Sequence, residues 1–167
     1  MKMEKKGNLY KLNIFFLLCF LVFIDLWTKS LAASLLSIGI SKDFFIPFID
    51  LLLLHNSGIA FGMFDNNNQI QTYALLIIGI VIVVYILYLA FNETNYKKTL
   101  GFSIIAGGAL GNIIDRAMQG YVTDFLHLKI NNFSFFIFNM ADAFITIGAI
   151  LIIYFELKTN SDDVKTD

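Results

Sequence analysis

The chain has 167 residues, of which 57% are hydrophobic and only 15% are charged, and its mean hydropathy is +0.72. A water-soluble domain carries about 25% charged residues, so this composition excludes an ordinary soluble globule and predicts a membrane protein. The net charge of −1 gives no reason to expect a nucleic-acid partner. The single cysteine, Cys19, excludes an internal disulfide and a multi-cysteine metal site.

Four apolar stretches indicate membrane-spanning helices. In chain order they cover about Leu12 to Leu31, Tyr73 to Phe91, Leu100 to Ile114 and Phe138 to Phe155. A helix needs about 20 residues to cross roughly 30 Å of hydrocarbon, so the second stretch is the clearest span and the others are shorter or interrupted by polar residues. Gly107 and Gly111 in the third stretch predict that a neighbouring helix approaches its backbone closely.

The basic residues predict the orientation, because four spans put both termini on one side. Eight of the twelve basic residues lie on that side and four on the other: Lys2, Lys5, Lys6, Lys11, Lys97, Lys98, Lys158 and Lys165 against Lys29, Lys42, Arg116 and Lys129. Since cytoplasmic loops carry the excess of Lys and Arg, we predict cytoplasmic termini and two outward loops, at about 32–72 and 115–137. We expect a single membrane domain over 1–157 and a disordered cytoplasmic tail over 158–167.

Charged residues in or beside the spans are candidates for function, since each costs a few kcal/mol on insertion. Asp25 and Lys29 are four residues apart, which puts opposite charges on one helix face and predicts a structural ion pair. Asn112 and Arg116 have the same spacing and suit gripping an extended substrate backbone. An arginine that only reaches lipid headgroups is the alternative. Asp115 points elsewhere on that helix and fits a helix-end or structural partner role.

Asp124 and Asp142 lie at similar depth near the outer surface. Two carboxylates that meet in a partly dry site cannot both ionise easily, so the pair holds one proton. Such a pair can hydrolyse a peptide bond, with the ionised member activating water and the protonated member polarising the carbonyl group. Spacing alone leaves an alternative open, in which each aspartate is a helix cap or half of an ion pair.

Short polar motifs occur in four groups along the chain. They are Asp25-Leu-Trp-Thr-Lys29, Asn56-Ser-Gly-Ile-Ala-Phe-Gly62, Gly108-Ala-Leu-Gly-Asn-Ile-Ile-Asp-Arg116 with Gly120-Tyr-Val-Thr-Asp-Phe125, and Phe138-Asn-Met-Ala-Asp142. In this order they resemble the motifs of the lipoprotein signal peptidase (signal peptidase II) family of membrane aspartic peptidases. The sequence departs from the family at Ile59, where alanine is more usual.

The resemblance implies a role for each polar residue. The catalytic dyad would be Asp124 and Asp142. The substrate-binding residues would be Asn56, Gly58, Asn112, Arg116 and Asn139, and the structural polar residues would be Asp25, Lys29 and Asp115. No metal or organic cofactor is implied.

The resemblance also implies a fold and a substrate. The fold would be a mainly α polytopic membrane protein, with four transmembrane helices, a small extracytoplasmic β-sheet cradle and a short surface helix after Asn56. The enzyme would act as a monomer in the bacterial cytoplasmic (inner) membrane, with its site at the outer face. Its partners would be membrane lipid and lipidated prolipoproteins, cut just before the lipid-bearing cysteine, and no nucleic acid.

Three rival functions are weaker. A zinc intramembrane protease would need a His-Glu-x-x-His motif, which is absent, and His55 and His127 are the only histidines. A serine protease could use Ser57, but its place between Asn56 and Gly58 suits a turn. An ion transporter could use Asp25, Asp115, Asp124 and Asp142 to relay ions, yet all four cluster toward the outer half of the membrane.

Overall fold

The computed structural model describes residues 2–58, 69–130 and 133–163, and this part of the chain forms four helices and four strands. The helices are α1 (Lys2–Leu35), α2 (Gln69–Asn92), α3 (Tyr96–Gln119) and α4 (Met140–Asp163). The strands are β1 (Ser41–Asp43), β2 (Ile49–Asn56), β3 (Val122–Ile130) and β4 (Phe133–Phe138). The predicted surface helix after Asn56, like Ile59, falls on 59–68 and lies outside the described residues.

Among the described residues, three helices are long and apolar enough to cross a membrane: Tyr10–Leu35 within α1, the whole of α2, and Met140–Lys158 within α4. The remaining helix, α3, has the same 24-residue length as α2. It packs against α1, α2 and α4, so much of its surface faces protein and its sequence is less apolar. The fourth span therefore stays a prediction at this point.

Several predicted boundaries differ from the structure. The third predicted stretch ends at Ile114, whereas α3 continues to Gln119 and ends where Gly120, in the left-handed conformation at φ 84°, donates its N–H to the carbonyl oxygen of Arg116. The fourth predicted stretch begins at Phe138, which belongs instead to β4, and α4 begins at Met140. The last helix also continues to Asp163, so it includes 158–163, which the sequence analysis assigns to a disordered tail.

Glycines let α3 lie close to its neighbours. A Cβ atom added at Gly107 would lie 2.8 Å from the Leu21 side chain, and one at Gly111 would collide with the Asp25 carboxylate. Both contacts are with α1, which confirms the predicted close approach at these two positions. On the opposite side, a Cβ at Gly108 would lie 2.5 Å from the backbone oxygen of Ala141 in α4.

The strands form one antiparallel sheet in the order β1-β2-β3-β4, as the described residues show. This confirms the expected small β-sheet. The sheet packs on the end of α1 through a cluster centred on Ala32, Leu53 and Phe125. Asp124 of β3 pairs with Leu54 of β2, and the pairing of β3 with β4 ends at Phe138, just before α4. The middle of the 115–137 segment therefore lies beside the start of α4.

The close approach at Gly108 predicts that Gly108→Ala lowers stability by about 1–3 kcal/mol, because the new methyl group meets backbone that cannot move aside easily. Thermal unfolding of the purified protein in detergent measures this loss. The matched control is Gly79→Ala, whose Cβ would meet only the flexible Ile113 side chain at 3.1 Å. Equal losses in the two variants would contradict this explanation.

Candidate active site

Asp142 is held at the first turn of α4 by a reciprocal pair of hydrogen bonds. The backbone N–H of Asp142 donates to Oδ1 of Asn139 at 3.0 Å, and the backbone N–H of Asn139 donates to Oδ2 of Asp142 at 3.2 Å. This is a capping box, in which two side chains three residues apart satisfy free N–H groups at a helix start. The helix-cap role that the sequence left open is therefore present, and the same carboxylate also faces a cavity.

Asn139 joins Asp142 to Asp124. While its side-chain oxygen accepts from Asp142, its Nδ2 donates to Oδ1 of Asp124 at 2.6 Å. Asn139 is fully buried, and it is absent from the residues that line the cavity. The expectation that it contacts substrate does not fit this position, because Asn139 donates to Asp124 through its side chain and to the Asp142 carboxylate through its backbone N–H.

The other oxygen of each carboxylate accepts from a second asparagine. Asn56, at the end of β2, donates its Nδ2 to Oδ2 of Asp124 at 2.9 Å, and its own oxygen accepts from the backbone N–H of Gly58 at 3.0 Å. Asn112, on α3, donates its Nδ2 to Oδ1 of Asp142 at 2.9 Å. The two carboxylates are thus held from three sides by amide groups, which fixes their orientation.

Arg116 supports the chain after β2. Its Nη2 donates to the carbonyl oxygens of Asn56, at 3.3 Å, and Gly58. Its Nε is buried and has no hydrogen-bond partner in the described part of the chain. Arg116 lines the cavity beside Asn112, one helical turn away, as their spacing predicts. It therefore contacts protein carbonyl groups while its guanidinium borders the cavity.

Lys29 forms a buried charged network behind the carboxylates. Its Nζ lies 2.7 Å from Oδ2 of Asp25 and 3.5 Å from Oδ2 of Asp115, and it donates to Oδ1 of Asn112 at 2.7 Å. The ion pair predicted from the Asp25 and Lys29 spacing is present. Because Lys29 occupies the oxygen of Asn112, the NH₂ group of that amide must face Asp142.

The two aspartates of this network also hold neighbouring elements. Oδ1 of Asp25 accepts the backbone N–H of Ala141 at 2.8 Å, in the first turn of α4. Oδ2 of Asp115 accepts the backbone N–H of Thr123 at 2.7 Å, one residue before Asp124. The network therefore ties α1 and α3 to the two segments that carry Asp124 and Asp142.

A cavity of about 350 Å³ opens beside these groups. Its polar lining contains Asn56, Gly58, Asn112, Arg116, Asp124, Asp142 and Thr146, and its apolar lining contains Val122, Phe136, Ile137, Phe138 and Ile145. The sequence analysis predicted the first six polar residues and missed Thr146 and the apolar lining. Sequence offers no local sign of that lining, because it depends on how β4 pairs with β3.

Burial raises the pKa of Asp124 to about 6, and the nearby Asp142 carboxylate raises it as well. The hydrogen bonds from Asn56 and Asn139 oppose this, because they stabilise the ionised form. Asp124 therefore holds a proton at far higher pH than an exposed aspartate does. A carboxyl group of this kind beside a second carboxylate can serve as an acid and base pair.

The histidines lie apart from the cavity. His55 stacks on Tyr121 with ring centroids 3.9 Å apart, and His127 shares a 2.7 Å hydrogen bond with Ser134. Neither lines the cavity. No group of three or more potential metal ligands (His, Cys, Asp or Glu) suited to an ion occurs in the portions 2–58, 69–130 and 133–163.

The family profile described as signal peptidase (SPase) II matches residues 17–158. The chain belongs to the signal peptidase II family. It is accordingly an aspartic peptidase and a hydrolase, which confirms the resemblance drawn from the motifs.

Proteins of known name or structure are similar to this signal peptidase II family member over most of its length. It is 41% identical over 152 residues to a lipoprotein signal peptidase from Thermodesulfovibrio yellowstonii, covering 90% of this chain and 97% of that one. It is 40% identical over 136 residues to a lipoprotein signal peptidase from Mesorhizobium japonicum, covering 80% and 79%. It is also similar to a solved bacterial membrane enzyme, with a TM-score of 0.79, 33% identity and 90% of each chain covered.

The environment of Asp124 in this signal peptidase predicts the direction of two pKa changes. The carboxyl group should titrate near pH 6 in the wild-type protein, and Asn56→Ala should move the midpoint higher, because it removes a donor that favours the ionised form. Infrared difference spectra of the protonated carboxyl band across pH, with Asp124→Asn as the reference, measure both. A midpoint near 4, or a downward shift in Asn56→Ala, would contradict the description.

The Lys29 network predicts a large loss of stability in Lys29→Met, about 3–5 kcal/mol, because Asp25 and Asp115 would remain buried without their cation. Lys42→Met is the matched control, since this exposed lysine donates to the carbonyl oxygen of Leu35 at 3.1 Å and forms no ion pair within the described residues. Thermal unfolding in detergent compares the two. Similar unfolding temperatures would show that the buried network contributes little.

Proposed function

We propose that this signal peptidase II family member cuts diacylglyceryl-modified prolipoproteins just before the lipid-bearing cysteine, using a water molecule activated by Asp124 and Asp142. Removal of signal peptides from lipoproteins is the activity of the family. The observation that supports the dyad is that Asn139 donates to both carboxylates at once, its side-chain Nδ2 to Asp124 and its backbone N–H to Asp142. Groups held this way can act together on one bond.

The two carboxylates differ in a way that suggests their roles. Asp142 lies at the positive end of the α4 dipole and accepts hydrogen bonds from the backbone N–H of Asn139 and from Nδ2 of Asn112, contacts that suit a carboxylate. Asp124, with its pKa raised to about 6, is the member that retains a proton. We assign Asp142 as the base and Asp124 as the acid, although the pair titrates as one unit.

The proposed reaction then follows in two steps. The Asp142 carboxylate takes a proton from water while the oxygen of that water bonds to the scissile carbonyl carbon, and Asp124 gives its proton to the carbonyl oxygen. Asp142 next returns its proton to the departing nitrogen as the carbon–nitrogen bond breaks, and a hydroxyl group of the intermediate reprotonates Asp124. One water is consumed and both carboxyl groups regain their starting states.

The cavity suits an extended peptide that carries a lipid. The guanidinium of Arg116 lines the cavity and can donate to a substrate carbonyl group, and Gly58 lines the cavity without a side chain that would obstruct an extended peptide. The aromatic and branched residues of β4 and α4 supply an apolar wall for side chains or acyl groups. Arg116 would therefore bind substrate while it supports the chain after β2.

We further propose that α3 is the fourth span, that residues 1–157 form one membrane domain, and that both termini are cytoplasmic. The excess of basic residues on the side of the termini supports this orientation. It puts the sheet and the dyad at the outer face. A substrate anchored in that leaflet by its lipid and signal helix would present its scissile bond at the depth of Asp124 and Asp142.

The dyad predicts that Asp124→Asn and Asp142→Asn each lower cleavage of a lipidated precursor by at least about 1,000-fold, since each variant lacks one of the two proton-transfer groups. Both should remain folded, because an asparagine side chain keeps the shape and part of the hydrogen bonding. Gel mobility of a purified precursor in detergent measures cleavage, and thermal unfolding reports the fold.

Two controls accompany that assay. Asp43→Asn, at an exposed carboxylate on β1, should cleave at the wild-type rate. The same precursor without its diacylglyceryl group should be cut poorly by the wild-type enzyme. Full activity in either dyad variant would remove the catalytic assignment, and equal cleavage of both precursors would remove the proposed substrate class.

A further inference from the structure

The sheet carries a cluster of exposed aromatic and aliphatic side chains at the end far from the dyad. We call this cluster the aromatic edge, and it consists of Phe45, Phe48, Ile130, Phe133 and Phe135. The side chain of Phe45 is 85% exposed, that of Phe48 is 62% exposed and that of Phe133 is 65% exposed. Aromatic residues this exposed are costly in water, so their position requires a contact outside the sheet.

The two segments of the aromatic edge are joined to each other. The backbone N–H of Lys129 donates to the carbonyl oxygen of Phe48 at 2.8 Å. Within one segment, the rings of Phe133 and Phe135 lie 4.7 Å apart in an edge-to-face arrangement. The edge is therefore one surface, built where the chain between β1 and β2 meets the adjoining ends of β3 and β4.

Phe48 occupies a backbone conformation that disfavours a large side chain. The N–H of Ile49 donates to the carbonyl oxygen of Ile46 at 3.2 Å, and Phe48 has a φ of 67°. With Pro47 before it, this is a type II turn, in which the third position is normally glycine. A phenylalanine at this position does not stabilise the turn, and most of its ring is exposed. Its presence therefore implies that the ring contacts something outside the described chain.

The aromatic edge continues the lipid-facing surface of α1. Trp27, Leu31 and Leu35 are spaced by four residues and are all exposed, so they form one stripe toward the end of that helix. Ile38 and Ile40 carry exposed apolar surface onward into the chain that leads to β1. Since the helix stripe must face acyl chains in a membrane protein, lipid is also the natural neighbour of the sheet.

The lysines beside the aromatic edge are typical of residues that lie at the depth of the lipid headgroups. Lys129 pairs with Asp50 at 3.3 Å, and its side chain is still 44% exposed. Lys42 donates to the last turn of α1. An aromatic surface bordered by lysines is typical of a segment at the boundary between headgroups and acyl chains.

We propose that the aromatic edge inserts into the membrane leaflet on the side of the sheet and anchors the sheet there. Its bound partner is lipid, at the boundary of headgroups and acyl chains. From Leu54, which pairs with Asp124, to Phe48 is six residues of extended chain, or roughly 20 Å. The anchor is therefore separate from the proposed dyad, and it fixes the tilt of the sheet that carries Asp124.

Tryptophan fluorescence tests the depth of the edge without any use of enzyme activity. Trp27 is the only tryptophan, so Trp27→Phe gives a silent background for Phe45→Trp and for Phe48→Trp. Each full-length variant is reconstituted into phosphatidylcholine–phosphatidylglycerol vesicles, with or without lipids brominated near the headgroup end of the acyl chains. Iodide serves as the aqueous quencher, and wild-type Trp27 serves as the lipid-facing control.

In both variants the brominated lipids should lower emission by about twofold, and iodide should have little effect, as expected for an interfacial position. Strong quenching by iodide with none by bromine would overturn the proposal. Protection from both quenchers would also overturn it, because the edge would then be covered by protein, such as a second copy. Phe45 is 85% exposed, so tryptophan there displaces no buried side chain. The readout is independent of whether the dyad cuts lipoproteins.

Discussion

The ammonium group of Lys29 is the contact on which the arrangement of the site depends. Buried among Asp25, Asp115 and Asn112, it compensates two carboxylates that would otherwise be too costly to enclose between helices. Those carboxylates in turn accept backbone N–H groups from the start of α4 and from β3. One cation thereby positions both segments that carry the proposed dyad, and it also sets which way the amide of Asn112 points.

Local spacing in the sequence predicted local contacts well. Asp25 and Lys29 form the expected ion pair, and Asn112 and Arg116 face one cavity, because positions four apart share a helix face whatever surrounds the helix. The capping box between Asn139 and Asp142 follows the same logic at a spacing of three and was predictable. The sequence leaves a helix-cap role for Asp142 open, but the predicted helix start at Phe138 lies inside β4, so Asn139 is not identified as the partner of Asp142 in that cap.

Residue spacing could not predict the contacts between segments that are distant in the sequence. The meeting of Asp124 with Asp142 depends on strand register and on the angle between β3 and α4, neither of which periodicity reports. The prediction that the two aspartates act as a pair came from the family resemblance and not from their spacing in the sequence. The apolar wall from β4 and the buried position of Asn139 were missed for the same reason. The packing of α3 against α1, α2 and α4 also explains why its sequence is less apolar than that of α2.

Asn139 uses both ends of its amide within a tightly closed space, and this leaves the position no acceptable replacement. Aspartate would bring a third negative group against Asp124, serine and threonine are too short to reach both neighbours, and glutamine is longer by one methylene group in a place without room for it. Position 139 should therefore accept fewer substitutions than most buried positions do.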